Sequence, residues 1–257
     1  MWKLMGADPE LFLSKNGKIV SAIGKIGGTK EHPIPVKELG NGFAFQEDNV
    51  LVEYNIPPAK SYQTFFENNE MMLSFLNDKV KRLDPEYKLL KKASGCISEE
   101  DAQNPLAHVF GCDPDFNVWT MKPNPRPFNP NPLFRTGGGH LHFAIKCSNA
   151  MAVRFTRGLD LYLGTWSVTV DKDKERRTLY GKAGAMRRKP YGLEYRVLSN
   201  FWVDNLSYIK TIWDLANHAW RATLSQRSVI DLFGKDSVEI INSSDATGAN
   251  TLINKIQ

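Results

Sequence analysis

The chain has 257 residues, of which 42% are hydrophobic and 24% charged, so it can form a folded globular core. Its net charge of +5 and pI near 9.0 favour an anionic partner, such as a nucleotide, a nucleic acid or an acidic substrate. Three scattered cysteines without CxxC spacing exclude a disulfide framework and a thiolate zinc site, and no apolar run reaches the length of a membrane span or a signal peptide. We therefore expect a cytoplasmic protein with no membrane partner.

The first predicted elements are two strand pairs. Residues 6–20 contain two extended runs around Asn16-Gly17, a strong hairpin signal. Residues 43–56 repeat this pattern, with Asp48-Asn49 as the turn. The chain therefore begins inside a sheet.

A helix and a long loop follow. Residues 61–83 carry apolar residues at helical spacing, and Ser61 is a suitable N-cap. Residues 111–135 are too rich in Pro and Asn for regular secondary structure. Because a long loop in a compact domain is usually functional, we expect this one to shield the site and select substrate, moving on the three glycines at 137–139.

The remaining elements alternate between strand and helix. Strands are predicted at residues 140–145 and 192–198, and helices at about 149–166 and 204–224. With no internal repeat or linker, residues 1–241 are predicted to be one catalytic domain. Residues 242–257 are predicted to be a tail or a short helix.

Four predicted strands each carry a pair of polar residues at positions i and i+2, which point to one face of a sheet. These pairs are Asp8 and Glu10, Glu53 and Asn55, His140 and His142, and Glu194 and Arg196. Any single pair is more often a solvated surface than a site, but four together indicate a functional face. Carboxylates and imidazoles collected there are typical of divalent metal bound to phosphate, and Arg196 could neutralise a transferred phosphoryl group.

Basic residues precede the last pair and could form a phosphate-binding wall or an ordinary solvated surface. Neither the P-loop nor the dinucleotide-binding pattern occurs in the chain. Any nucleotide must therefore be held by side chains on a sheet.

The motifs, in this order, resemble the glutamine synthetase and glutamate-cysteine ligase superfamily, and most closely the carboxylate-amine ligases encoded by bacteriophages. The matching segments are residues 6–10, 52–55, 137–142, 176–181 and 191–200. The resemblance implies an α+β fold with a curved, mainly antiparallel sheet, helices packed on one face and a glutamine-synthetase-like catalytic domain.

The resemblance also implies roles for individual residues. It makes Arg196, His142 and Glu53 catalytic, and it makes Asp8, Glu10, Glu53, His140 and Glu194 metal ligands, with Asp8 standing where glutamine synthetases have a Glu. The phosphate-binding residues would be Arg176, Arg177, Arg187, Arg188 and Arg196. The substrate-binding residues would be Asn55, Arg135, His142 and Tyr191.

The implied reaction joins a carboxylate to an amine through an acyl phosphate, with ATP as co-substrate and Mg²⁺ or Mn²⁺ as cofactor. The carboxylate and amine would be small molecules or peptides, the oligomeric state stays open, and a phage enzyme would act in the host cytoplasm. Two alternatives stay open: a metal-dependent hydrolase or nuclease using the same carboxylates and histidines, and a non-catalytic nucleic-acid-binding phage protein.

Overall fold

A computed structural model describes residues 2, 4–108, 115–225 and 227–256. In this part of the chain the strands are β1 (Leu4–Lys15), β2 (Lys18–Val20), β3 (Ile34–Pro35), β4 (Ala44–Asp48), β5 (Leu51–Asn55), β6 (Tyr87–Leu90), β7 (Ser94–Cys96), β8 (Phe116–Asn117), β9 (Lys122–Pro123), β10 (Phe134–Thr136), β11 (Gly139–Ala144), β12 (Ala185–Lys189) and β13 (Gly192–Tyr195).

The helices are α1 (Tyr62–Leu83), α2 (Glu99–Ala102), α3 (Asn149–Leu159), α4 (Thr165–Val170), α5 (Arg176–Leu179), α6 (Phe201–Asp204), α7 (Tyr208–Ser225), α8 (Arg227–Ser243) and α9 (Ala246–Ile256). A 3₁₀ turn covers Pro105–His108, and a π-helical turn, Asp160–Gly164, joins α3 to α4. Among these described helices, none combines the length and apolar character needed to cross a bilayer.

One large antiparallel sheet organises the fold. Its strand order is β3-β4-β5-β1-β11-β13-β12-β8-β9, and β2 and β6 also pair with β1. Strands β7 and β10 form a separate antiparallel pair. The expected mixed α and β architecture with a mainly antiparallel sheet is therefore confirmed.

Alternation along the strands separates an apolar face from a polar one. On β1, Met5, Leu11 and Leu13 are buried in the main core, together with residues of α1, α3 and α7. The opposite face of β1 carries Asp8 and Glu10. The principal helices thus cover the apolar face, and the polar residues lie on the opposite face of the sheet.

A smaller core closes one end of the polar face. Phe12, Val50 and Leu51 pack there with Ile97 and Ala107, which lie beside α2 and the 3₁₀ turn. The polar face is therefore covered at this end rather than open along its whole length.

The prediction of helix 61–83 agrees with α1, whose N-cap Ser61 accepts a hydrogen bond from the backbone N–H of Thr64. The segment 115–135 is not wholly irregular as predicted, because short strands β8 and β9 and the start of β10 lie in it. Residues 111–114 of that predicted loop lie outside the described residues.

The helices after residue 200 are more extensive than predicted. Helix α8 was not predicted and runs to Ser243, past the proposed boundary at residue 241. Helix α9 buries Ala249 and Leu252. The division into residues 1–241 and 242–257 stays a prediction.

Candidate active site

The four predicted polar pairs lie on adjacent strands, β5, β1, β11 and β13. The register places Glu10 opposite Glu53 and Asp8 opposite His140. It also places His142 opposite Glu194. Because side chains opposite one another in a sheet share a face, the pairs form one continuous polar surface.

Asp8, His140 and Glu194 form the first of two candidate metal clusters. Nδ1 of His140 lies 3.4 Å from Oδ1 of Asp8 and 3.7 Å from Oε1 of Glu194. One ligand atom from each of the three residues lies within 4.8 Å of the other two. A single divalent cation could contact all three side chains.

Glu10, Glu53 and Asp48 form the second cluster, with ligand atoms again within 4.8 Å of one another. Asp48 was predicted only as a turn residue, next to Asn49, and not as a member of the site. Burial and the nearby charge of Glu10 raise the pKa of Asp48 to about 6. A cation bound here would relieve this repulsion between carboxylates.

Electrostatics inside the first cluster favour ionised side chains. Burial alone would raise the pKa of Asp8, but charges and hydrogen bonds from His142 and His140 outweigh it and hold that pKa well below its usual range. Burial lowers the pKa of His142, but Asp8, with its Oδ2 3.0 Å from Nε2, raises it overall. Asp8 is therefore a permanent carboxylate that faces both histidines.

The glycines before β11 give the cluster its close packing. A Cβ on Gly138 would lie 2.3 Å from Nε2 of His140, and one on Gly139 would lie 2.3 Å from the carbonyl oxygen of Ser199. The backbone N–H of Gly138 also donates to Oε2 of Glu10, at 2.7 Å. Contacts of this kind explain Gly138 and Gly139 as positions of close approach, and the expected flexible joint at 137–139 stays a prediction.

Arg196 is held between two carboxylates. Its Nε lies 2.6 Å from Oδ1 of Asp115, and its guanidinium also contacts Glu194. Burial would raise the pKa of Glu194, but the guanidinium of Arg196 outweighs it and lowers that pKa. Asp115 therefore orients the predicted catalytic arginine. Sequence reasoning missed it, although Asp113 and Asp115 flank Pro114 with the same i and i+2 spacing as Asp8 and Glu10.

Side chains alternate between the two faces of β12, so the residues of the predicted phosphate-binding wall point in two directions. Arg187 and Lys189 point toward Glu194, at 3.7 Å and 3.0 Å from Oε2. Arg188 donates instead to the carbonyl oxygens of Gly192 and Cys147. Arg188 therefore lies away from the site, contrary to its predicted role.

Of two further arginines of the predicted wall, one lies at the site and the other does not. Arg176 is buried at the rim of a cavity shared with Glu10, His140 and Arg196, and burial lowers its pKa to about 10. Arg177 is buried elsewhere, against Asp171, Ser167 and Ser244. Arg176 therefore lines the cavity beside the candidate metal clusters, whereas Arg177 is part of the packing.

Arg135 lines the same cavity, but its guanidinium donates to backbone carbonyls, including those of Pro132, Phe134 and Ala107. A second cavity adjoins the first through Asp115 and Tyr180, between residues 124–128 and 178–182. Arg135 therefore shapes the cavity wall more than it offers a free charge to a ligand.

The predicted substrate residues Asn55, His142 and Tyr191 meet in a groove at the other end of the polar face. The Tyr191 hydroxyl contacts Nδ1 of His142. Beyond this pair the groove is floored by small or apolar residues, namely Leu4, Gly6, Ala7, Ile56, Pro58 and Ala144. The face thus changes from acidic to apolar along its length.

A family model described as phage phiEco32-like COOH.NH2 ligase-type 2 matches residues 127–228. The resemblance inferred from the motifs is confirmed over this stretch. It contains β11, β12 and β13, and so the half of the site that supplies His140, His142, Glu194 and Arg196.

Among solved structures, the chain is similar to a bifunctional glutathione synthetase from Pasteurella multocida, with 14% identity and a TM-score of 0.45. The match covers 99% of this chain and 49% of that one, so the chain spans about half the length of that protein. No curated protein matches the sequence.

Proposed function

We propose that this chain is an ATP- and magnesium-dependent carboxylate-amine ligase with a glutamine-synthetase-like catalytic site. The observation that carries the proposal is the pair of candidate metal clusters side by side on one sheet face, next to Arg196. The description of the family whose model matches residues 127–228 supports the same class of reaction.

The donor sets fit Mg²⁺ or Mn²⁺. Five of the six side chains are carboxylates and the sixth is a histidine, a set of ligands that suits these ions. Asp8, His140 and Glu194 would hold one ion, and Glu10, Asp48 and Glu53 the other. Bound metal would supply charge neutralisation to the phosphates of ATP.

In the first step a carboxylate oxygen of the substrate attacks the γ-phosphorus of ATP, and the bond to the β–γ bridging oxygen breaks. ADP leaves and an acyl phosphate forms. Arg196 and Arg176, both on the wall of the central cavity, would contact the phosphoryl oxygens as charge spreads over them. The contact between Arg196 and Asp115 holds the guanidinium in its orientation before substrate binds.

In the second step the amine nitrogen attacks the acyl carbon, the bond to phosphate breaks, and phosphate leaves. The amine must lose a proton, and the imidazole of His142, held between the Tyr191 hydroxyl and Asp8, would accept it. The groove around Asn55 and Tyr191 would hold the substrate end. The cavity between residues 124–128 and 178–182 would hold the nucleoside of ATP.

The test is a screen for amine-dependent ADP release in the presence of Mg²⁺, with amino acids, polyamines and modified nucleotides as acceptors. We expect ADP release to require both a carboxylate and an amine, and to be lost in Glu194→Gln. Metal-dependent hydrolysis in ATP-free buffer would instead favour a hydrolase or nuclease. Nucleic-acid binding that survives substitution of the carboxylates would favour a non-catalytic binding protein.

A further inference from the structure

A buried carboxylate lies beneath the site, on the apolar side of the sheet. Asp160 has no exposed surface and lies at the start of the π-helical turn between α3 and α4. Such turns are rare and occur often at functional sites. The steps proposed above do not use this side chain. A buried carboxylate is tolerated only when it is hydrogen-bonded, so its partners indicate what it does.

Two hydrogen bonds link Asp160 to the two parts of the chain that hold Arg196. Tyr195, which donates to Oδ1 of Asp160 at 2.8 Å, lies between Glu194 and Arg196 on β13. Trp119, which donates to Oδ2 at 2.6 Å, lies on the turn that follows Asp115 and β8. Each oxygen of the carboxylate thus anchors a different segment.

The turn that carries Trp119 is rigidly tied to Asp115. The backbone N–H of Asn124 donates to the carbonyl oxygen of Asp115, at 2.7 Å, and the side chain of Asn117 accepts from the backbone N–H groups of Trp119 and Thr120. A displacement of the Trp119 ring would therefore also shift Asp115.

The Trp119 ring is also enclosed. The guanidinium of Arg157 lies 4.9 Å from the ring centroid, and a Cβ on Gly234 would lie 2.3 Å from the ring. Likewise, a Cβ on Gly164 would lie 2.7 Å from the Tyr195 hydroxyl. Neither donor has room to turn away from Asp160.

We propose that Asp160 is a positioning residue that fixes Arg196 from both sides, through its chain neighbour Tyr195 at the end of β13 and through Trp119 and Asp115 on the adjacent segment. The contacts form a closed ring: Asp160 to Tyr195, along the backbone to Arg196, across to Asp115, through the turn to Trp119, and back to Asp160. The consequence for catalysis rests on the proposed function, whereas the consequence for the conformation of Arg196 does not.

The first arm of the test measures Arg196 directly. The Nε–H signal of Arg196 in the purified protein, assigned by its loss in Arg196→Lys, should be protected from solvent exchange by the contact with Asp115. Asp160→Ala should accelerate that exchange about tenfold or more, in the range expected when an outer partner of a site residue is removed. Unchanged exchange in Asp160→Ala would overturn the proposal.

Three variants separate positioning from stability. Asp160→Asn should restore most of the protection, because an amide can accept from Trp119 and donate to the Tyr195 oxygen. Trp119→Phe, which leaves the carboxylate and Tyr195 in place, should show the same loss as Asp160→Ala and serves if that variant does not fold. Leu252→Ala, which opens a cavity in α9, should lower stability without changing the exchange.

The second arm measures turnover. In the ADP-release assay Asp160→Ala and Trp119→Phe should lower kcat about tenfold and leave KM for ATP nearly unchanged, since Arg196 would act mainly in the transition state. A change in KM alone would contradict positioning of Arg196. If even the wild type releases no ADP, the proposed function fails, and the exchange measurement alone decides the role of Asp160.

Discussion

Glu194 is the residue on which the charges of the site converge. It is fully buried, belongs to the first metal cluster and contacts both Lys189 and Arg196. Glu194→Gln keeps the shape of the side chain but removes its charge. We expect Mn²⁺ binding in the presence of ATP, measured by calorimetry, to weaken about tenfold or more, because a metal ligand must be anionic or an unprotonated base.

A matched control is Glu67→Gln on the exposed face of α1, where the carboxylate only accepts a bond from Gln63. Its metal affinity should equal that of the wild type. A Mn²⁺ affinity of Glu194→Gln equal to that of the wild type would mean that Glu194 is not a metal ligand.

Arg196 is predicted to act through its geometry as well as its charge. Arg196→Lys keeps the charge but loses the planar donors that reach Asp115 and Glu194 together. The variant should fold normally, as judged by circular dichroism and thermal unfolding, and should lose about a hundredfold in ADP release.

Arg188→Lys is the control. Arg188 lies between Arg187 and Lys189 in the chain, but its side chain points to the opposite face of β12. Its activity should be near that of the wild type. Near-native turnover in Arg196→Lys would mean that Arg196 only pairs with Asp115 and Glu194 and takes no part in catalysis.

At the scale of elements, the strand pairs were predictable and the isolated residues were not. A period of two predicted that Asp8, His140 and Glu194 share a face, and antiparallel pairing brings them together. Asp48 is the last residue of β4 and Asp115 lies just before β8, and only tertiary packing determines that each of them reaches the site.

The misassigned arginines show the same limit in a basic segment. Arg187, Arg188 and Lys189 are all basic, so the sequence shows no alternation there, and only the strand β12 of the structure separates Arg188 from the site. Arg177 offered no clue either, because its partners Asp171 and Ser244 are fixed only by the packing of α4, α5 and α8.

The glycines before β11 give a test of close packing. In Gly139→Ala the new methyl group would meet the backbone of Ser199, so we expect a loss of unfolding free energy of about 1–3 kcal/mol by denaturant titration. Gly6→Ala is the control, because its Cβ would lie 3.8 Å from its nearest neighbours. Equal stability of both variants would mean that the Gly139 segment can shift at no cost.

The Pro-rich segment is predicted to close over the site when substrates bind. Phe128 is 84% exposed, yet residues 124–128 line the cavity assigned to the nucleoside. Hydrogen exchange of the described part of the segment, residues 115–135, should slow when ATP, Mg²⁺ and a carboxylate are added. Helix α9, residues 246–256, serves as an internal reference because it lies outside the proposed site. Equal protection of residues 115–135 in both states would mean that the segment is a static cover.

At the scale of the whole molecule, Asp160 couples stability to pH. Burial, offset in part by hydrogen bonds from Trp119 and Tyr195 and by the charge of Arg157, raises its pKa from 3.8 to about 7. The folded chain therefore holds a proton that the unfolded chain releases between about pH 4 and pH 7. Over this window the free energy of unfolding should fall as pH rises, by roughly 1.4 kcal/mol for each pH unit crossed.

The measurement is denaturant unfolding of the wild type and Asp160→Asn at pH 5 and pH 8. The asparagine does not titrate, so the wild type should lose stability relative to the variant at the higher pH. A difference between the two proteins that stays constant with pH would mean that Asp160 is ionised throughout.

The side-chain alternation that builds the polar face also limits how a gene for this protein can change. The strands of the polar face point successive side chains to opposite faces, so deleting or inserting one codon within β1, β11 or β13 would turn the site residues that follow toward the helical core. Insertions between β9 and β10 or beyond α9 would not shift this register. Lineages of such proteins should therefore vary in length at those connections and keep the lengths of the central strands constant.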